Sequence, residues 1–502
     1  MIFTFKVAAV FLSLFLAGGS MSRAEMPERP APSGGLLSLL PTPQTTEHSI
    51  TVAGRTLDYR AQAGTLSLLG GDGAVTAEIF YVAYTLPSGA EGKRRPITFV
   101  FNGGPGAASA YLHLGALGPR IVATAPDGNF LPAPQKLVDN PDTWLDMTDL
   151  VFVDPVGTGY SRAAPGKDTS DFWGVQQDAS AIGAFIRLYL SHSGRTASPV
   201  YLAGESYGGF RAATLARTLQ EDVGIAPAGV VLISPALEFM LVRPDEFEPL
   251  QWALDLPSFA AVKLASEGVA GPQLRERLAE VERYALGDYM TALLSGLEEG
   301  GRRASGRVAE ITGLPLDLVR QNFARIPITV FAREFSRANG KTLSLYDGVI
   351  GTADIAPQNS RLETPDPVLD RSVPVLTSAF VSYARDELNF RTDMSYWLLN
   401  REISGKWDYG TSQARQGYAG AMSGLQRARS LNPQLGVLIV HGYTDLVTPY
   451  MASRYLVGQL PSLPGAAPIR LEELEGGHMM YLRPDSRKAL KAAAAGLYEV
   501  TQ

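Results

Sequence analysis

Five runs along the chain have no polar face: ITFVF (97–101), LVFVD (150–154), VYLAG (200–204), GVVLIS (229–234) and GVLIVHG (436–442). A short strand that is apolar on both sides is one buried on both sides, as in a parallel sheet. Helical stretches lie between several of them, for example over 174–190 and 209–220. Strand and helix thus alternate. The pattern predicts an α/β architecture, an open and mostly parallel central sheet with helices on both faces. The approach to this region differs. From Ile50 to Tyr84, polar and apolar residues alternate and glycines mark the turns, which predicts antiparallel strands.

Between about 240 and 375 the strand signals stop. Segments such as QLRERLAEVERYAL carry charge on one face and Leu, Val and Ala on the other, so this stretch reads as a mainly helical cap inserted after the strand that ends at Ser234. The expected organisation is a first core part over 46–239, the cap over 240–375, and a second core part over 376–502. Ser486 to Tyr498 closes it as a helix.

The N-terminus fits neither pattern. One lysine, Lys6, precedes an unbroken apolar run from Val7 to Ala17, and small residues follow up to Ala24. That is the form of a cleaved export signal over 1–24, with an irregular leader over 25–45. The run is short for a membrane span; an uncleaved anchor is the other reading. Export predicts a periplasmic or secreted protein without stable membrane association after cleavage.

Composition now narrows the chemistry. The 502 residues contain no cysteine, which excludes disulfides, thiolate metal sites, a cysteine nucleophile and a lipid-bearing cysteine. Five dispersed histidines leave little for a metal site, and no cofactor is expected. A net charge of −6 gives no footprint for nucleic acid.

The strand VYLAG runs into Gly204-Glu205-Ser206-Tyr207-Gly208, and a helix-forming stretch follows at once. Alone, Gly-x-Ser-x-Gly reads equally as an ordinary glycine turn. Between a strand and a helix it is the sharp turn that exposes a nucleophilic hydroxyl, Ser206. A serine needs a base. His48 and His192 sit in surface-like segments, His113 on a helix, and His441 inside a strand. His478 lies in a glycine loop after the strand PIRLEEL, placed to reach Ser206. Asp445, just past GVLIVHG, can orient the imidazole, although an aspartate there also suits a plain turn. The order Ser206, Asp445, His478 is that of an α/β-hydrolase. Asn102-Gly103-Gly104-Pro105-Gly106 follows ITFVF, and the amides of Gly104 and Tyr207 are the natural pair for a developing oxyanion.

Four stretches taken together resemble one family: Asn-Gly-Gly-Pro-Gly at 102–106, Asp-Pro-Val-Gly-Thr-Gly-Tyr-Ser at 154–161, Gly-Glu-Ser-Tyr-Gly-Gly at 204–209 and Gly-Gly-His-Met at 476–479. They are similar to the serine carboxypeptidases, carboxypeptidase-Y-like α/β-hydrolases with a helical cap. The resemblance implies removal of residues from the free C-terminus of a peptide. It assigns Ser206 as nucleophile, His478 as base, Asp445 as orienting acid, and Gly104 and Tyr207 to the oxyanion. It further implies that Asn102, the Gly103 amide and Glu205 hold the substrate's terminal carboxylate, with Met479 near the leaving residue. Two carboxylates repel, so Glu205 should bind substrate when protonated, which favours acidic pH.

The chain also departs from that family. A second glutamate usually precedes Leu-Gly-Pro; here that slot is Ala116. This weakens the case for a strongly acidic optimum. The usual cysteine after Asn-Gly-Gly-Pro-Gly is Ala107, which suggests a cysteine-free bacterial branch. Trp144, in Asn140-Pro141-Asp142-Thr143-Trp144, reads first as packing. Competing functions are an esterase or acyltransferase on the same scaffold, and a non-catalytic binding protein that kept the fold.

Overall fold

The computed structural model describes residues 35–87, 94–242, 247–410 and 419–499. The export signal and the first part of the leader, up to residue 34, lie outside the described residues. The chain begins with three antiparallel strands, β1 (Gln44–Val52), β2 (Arg55–Leu69) and β3 (Val75–Thr85). Six further strands continue the same sheet: β4 (Ile97–Phe101), β5 (Asp149–Val153), β6 (Val200–Glu205), β7 (Gly229–Ile233), β8 (Gly436–Gly442) and β9 (Arg470–Leu474). They form one sheet in the order β1-β2-β3-β5-β4-β6-β7-β8-β9, with Arg162–Ala163 pairing off β3. From β5 to β9 every neighbour is parallel.

The apolar runs are buried on both sides because successive side chains of a strand point to opposite faces. Val100, Phe152, Ala203, Val231 and Val440 join one cluster, with residues of α6 (Leu369–Asp386) and α7 (Pro484–Glu499). Phe99, Val151, Leu202, Leu232 and Ile439 join the other, with α1 (Val175–His192) and α2 (Tyr207–Thr218). Each fully buried aliphatic or phenyl side chain contributes about 1.5–3 kcal/mol of burial free energy.

The insertion after β7 builds a third cluster from α3 (Leu250–Ser266), α4 (Gly271–Tyr284) and α5 (Leu297–Thr312), among shorter helices. It also contains a small hairpin, Lys341–Leu343 with Gly351–Ala353, in a stretch read as free of strands. The boundary expected at 375 falls inside α6, whose Val375, Leu376 and Phe380 belong to the sheet's cluster and not to the insertion's. Among the described residues no helix is long and apolar enough to cross a membrane.

Candidate active site

The carboxyl ends of β4, β6, β7 and β8 bring the polar residues together. Ser206 follows β6 with φ 59° and ψ −124°, a backbone state that costs a non-glycine residue about 1–3 kcal/mol. The turn is tight enough that a side chain at Gly204 would strike the Gly208 carbonyl, and one at Gly208 would strike that of Phe101. These glycines are required by space. Tyr207 is the first residue of α2, so its amide has no acceptor within the helix. Gly103 lies against the elbow: a Cβ there would sit 2.6 Å from the Tyr207 nitrogen and 2.8 Å from Ser206 Cβ. Gly104 beside it takes φ 99°.

Asp445 is wholly buried. Its Oδ1 accepts from the amides of Val447 (2.8 Å) and Thr448 (3.0 Å). Its Oδ2 lies 2.8 Å from His478 Nδ1 and 2.7 Å from Thr448 Oγ1. An Nδ1–H donated to Asp445 leaves the Nε2 lone pair free to take a proton. Burial alone would lower the pKa of His478. The charge and hydrogen bond of Asp445, with Glu205 adding to them, outweigh burial and hold it above the ordinary value. Ser206 and His478 share one support. The Ser206 amide donates to Ile233 and its carbonyl accepts from Ala236, while Ser234 Oγ donates to the His478 carbonyl at 2.9 Å.

Glu205 is buried beside them. Tyr481 donates its hydroxyl to Glu205 Oε1 at 2.9 Å, and Asn102 Nδ2 donates to Oε2. Burial raises its pKa to about 7, against the lowering effects of His478, Tyr481 and Asn102. Asn102 is itself fixed: Oδ1 accepts from the Leu112 amide (3.0 Å), and its carbonyl accepts from Arg211 (2.7 Å), whose guanidinium pairs with buried Asp178 (2.6 Å). Met479 is buried next to His478.

The remaining candidates are structural. His113 bonds Tyr84 and stacks on Phe152; His441 bonds Ser453; Trp144 packs edge-on to Tyr498. Asp154 accepts from the amide and hydroxyl of Ser109, so the 154–161 motif staples the loop that follows Gly106. Asn140 fixes the carbonyls of Ala116 and Gly118. Ala116 is buried and brings no carboxylate. Among the described residues no cluster of three His, Asp or Glu could hold a metal. Sequence reasoning passed over Ser234, Thr448, Arg211, Tyr346 and Tyr481. Thr448 carried a weak signal, three residues after the acid. Tyr346 carried none, yet its carbonyl accepts the His478 amide and its ring stands edge-on to the imidazole at 5.0 Å.

The family model described as serine carboxypeptidase matches residues 58–225. A carboxypeptidase Y homolog of Arthroderma benhamiae is 36% identical over 118 residues, 23% of this chain and 21% of that protein. Serine carboxypeptidase-like 34 of Arabidopsis thaliana is 25% identical over 227 residues, 44% of this chain and 43% of that protein. The matches therefore span less than half the length of these curated relatives. The crystal structure of Kex1Δp, a prohormone-processing carboxypeptidase from Saccharomyces cerevisiae, aligns with a TM-score of 0.54 at 16% identity, covering 88% of this chain and 91% of that one. That likeness establishes the α/β-hydrolase fold. Over residues 58–225, the segment that carries the elbow and the Asn-Gly-Gly loop, the chain is similar to the serine carboxypeptidases.

Proposed function

We propose that this chain is an exported serine carboxypeptidase that cleaves the last peptide bond of peptides with a free C-terminus. Export rests on the apolar N-terminal run. The observation that carries the activity is a buried carboxyl, Glu205, beside a strained serine and an oriented His–Asp pair. Ser206 Oγ attacks the scissile carbonyl while His478 Nε2 takes its proton. The oxyanion sits between the Gly104 and Tyr207 amides. His478 returns the proton to the leaving amine, which departs as the C-terminal amino acid. Water repeats the sequence on the acyl-enzyme. Asn102, the Gly103 amide and protonated Glu205 hold the substrate carboxylate, with Met479 on the leaving side.

The pH sign follows from these groups. Activity falls as pH drops through the His478 pKa, which Asp445 holds above the ordinary imidazole value, because the base is then protonated. On free-acid peptides it falls again as pH rises through about 7, because ionised Glu205 repels the substrate carboxylate. An acyl ester without a free carboxylate should lack that second limb. The test is kcat/KM against pH for a blocked dipeptide, its C-terminal amide and such an ester. Strong preference for the free acid, with an alkaline limb confined to it, is expected. Equal turnover of acid and amide sinks the exopeptidase reading, and rapid ester cleavage alone favours an esterase.

A further inference from the structure

Glu205 has two oxygens, and Asn102 holds one of them. The other is held by a residue far along the chain. Tyr481 lies on the short turn Met480–Leu482 directly after the His478 loop, and it has no solvent exposure. The turn is pinned by bonds from Leu482 N to the Met479 carbonyl and from Thr124 Oγ1 to the Leu482 carbonyl. Its ring lies close to residue 115. A Cβ at Gly115 would come 2.9 Å from Tyr481 Cε2, so glycine there makes the room.

We propose that Tyr481 is the positioning residue of the C-terminal carboxylate subsite: its phenol, packed beside Gly115, holds the Glu205 oxygen that Asn102 does not. This rests on the carboxypeptidase reading. A phenol as the second partner of Glu205 has a chemical consequence. A neighbouring carboxyl can share a proton with Glu205 or repel it. Burial keeps the Tyr481 hydroxyl protonated well beyond neutral pH, so it remains a donor throughout the working range. A constant donor favours the ionised form of Glu205 and restrains the rise that burial causes. The other groups that act on Glu205 are His478, which lowers its pKa, and Asp445, which raises it, with the phenols of Tyr111 and Tyr346 close by. None of them changes in Tyr481→Phe.

The experiment compares wild type with Tyr481→Phe on the free-acid dipeptide and on the carboxylate-free ester. Loss of one donor to a carboxylate should move the alkaline limb of kcat/KM on the acid upward by about one pH unit. The acid limb, set by His478, should move at most slightly to lower pH, and equally on both substrates, as Glu205 loses charge. An unmoved alkaline limb in a variant that melts normally overturns the assignment. Gly115→Ala, which presses a methyl on the ring, should move the limb the same way and serves if Tyr481→Phe does not fold. A readout independent of turnover separates this inference from the reading beneath it. The infrared carboxyl band absent in Glu205→Gln gives the Glu205 midpoint directly, and Tyr481→Phe should raise it. A raised midpoint in a protein with no acid-over-amide preference would fault the carboxypeptidase reading alone; an unchanged one overturns the role of Tyr481.

Discussion

The carboxyl edge of the sheet and the helical insertion are both densely packed, but they bury different things. At the sheet edge the buried groups are polar and each is held: Asp445 by two amides, a hydroxyl and a histidine, Glu205 by an amide side chain and a phenol. In the insertion the interior is Leu, Ala, Phe and Val. Many of its charges pair near the surface, as Arg307 does with Glu280 and Glu310. Asp255 Oδ2 and Ser258 Oγ are buried there without a partner, and burial pushes the Asp255 pKa well up. One region spends its polar groups on geometry; the other holds itself together by apolar contact. They meet at the segment that returns from the insertion. Tyr346 receives the His478 amide, and Asp347 accepts from Thr444 Oγ1 (2.6 Å) and Arg483 (2.7 Å).

If that division holds, changes at the edge should alter rate and changes in the insertion should alter stability. The largest effect is expected for Ser206→Ala. With the nucleophile gone, kcat should fall about a million-fold, leaving what substrate binding and the oxyanion amides supply. The melting temperature should not fall, since alanine relieves no contact that the fold needs. A residual rate within a hundredfold of wild type would remove Ser206 from the chemistry.

Arg211 tests the edge from behind. It is buried on α2, bonds the Asn102 carbonyl and pairs with Asp178 on α1. Arg211→Met leaves Asp178 as a buried carboxyl without its counter-charge, at a cost of about 3–5 kcal/mol. It also frees the Asn-Gly-Gly loop, so stability and rate should drop together. Leu278→Ala in the insertion should cost about 2–5 kcal/mol by leaving a cavity, with kcat on the acyl ester preserved below the transition. Denaturant melts with initial rates read both quantities. A large ester-rate loss in folded Leu278→Ala would break the division.

The same contrast decides what could be read from the amino-acid order. β4 to β8 and the elbow were legible because their requirements are local: a strand apolar on both faces, then glycines where a Cβ would strike backbone. The insertion was legible as helices from its charge pattern, but its limit was not. The apolar stripe of α6 resembles that of a cap helix, and nothing local says that Val375 and Phe380 face the sheet. The hairpin at 341–353 escaped because strands of three residues are too short to show alternation. Tyr481 and Arg211 escaped for a different reason. Tyr481 meets Glu205 across 276 positions and Arg211 meets Asn102 across 109, distances over which sequence pattern carries no pairing.

The smallest change sharpens the comparison most, because it alters one proton. Glu205 is expected to act as a donor below about pH 7 and as a repelling anion above it. Glutamine is a donor at every pH but cannot reproduce the short acid–carboxylate bond. Glu205→Gln should therefore lose several-fold in kcat/KM on a free-acid peptide at pH 5–6, about 1 kcal/mol, and match or exceed wild type above pH 8. Its alkaline limb should be gone, and the His478 limb should move slightly to lower pH because the Glu205 charge no longer raises the imidazole. On a carboxylate-free ester the variant and wild type should otherwise run parallel. The measurement is a paired pH profile on the two substrates. Parallel loss on both would mean that Glu205 serves the His478–Asp445 pair and not the substrate's carboxylate, and the edge would then hold one functional unit instead of two.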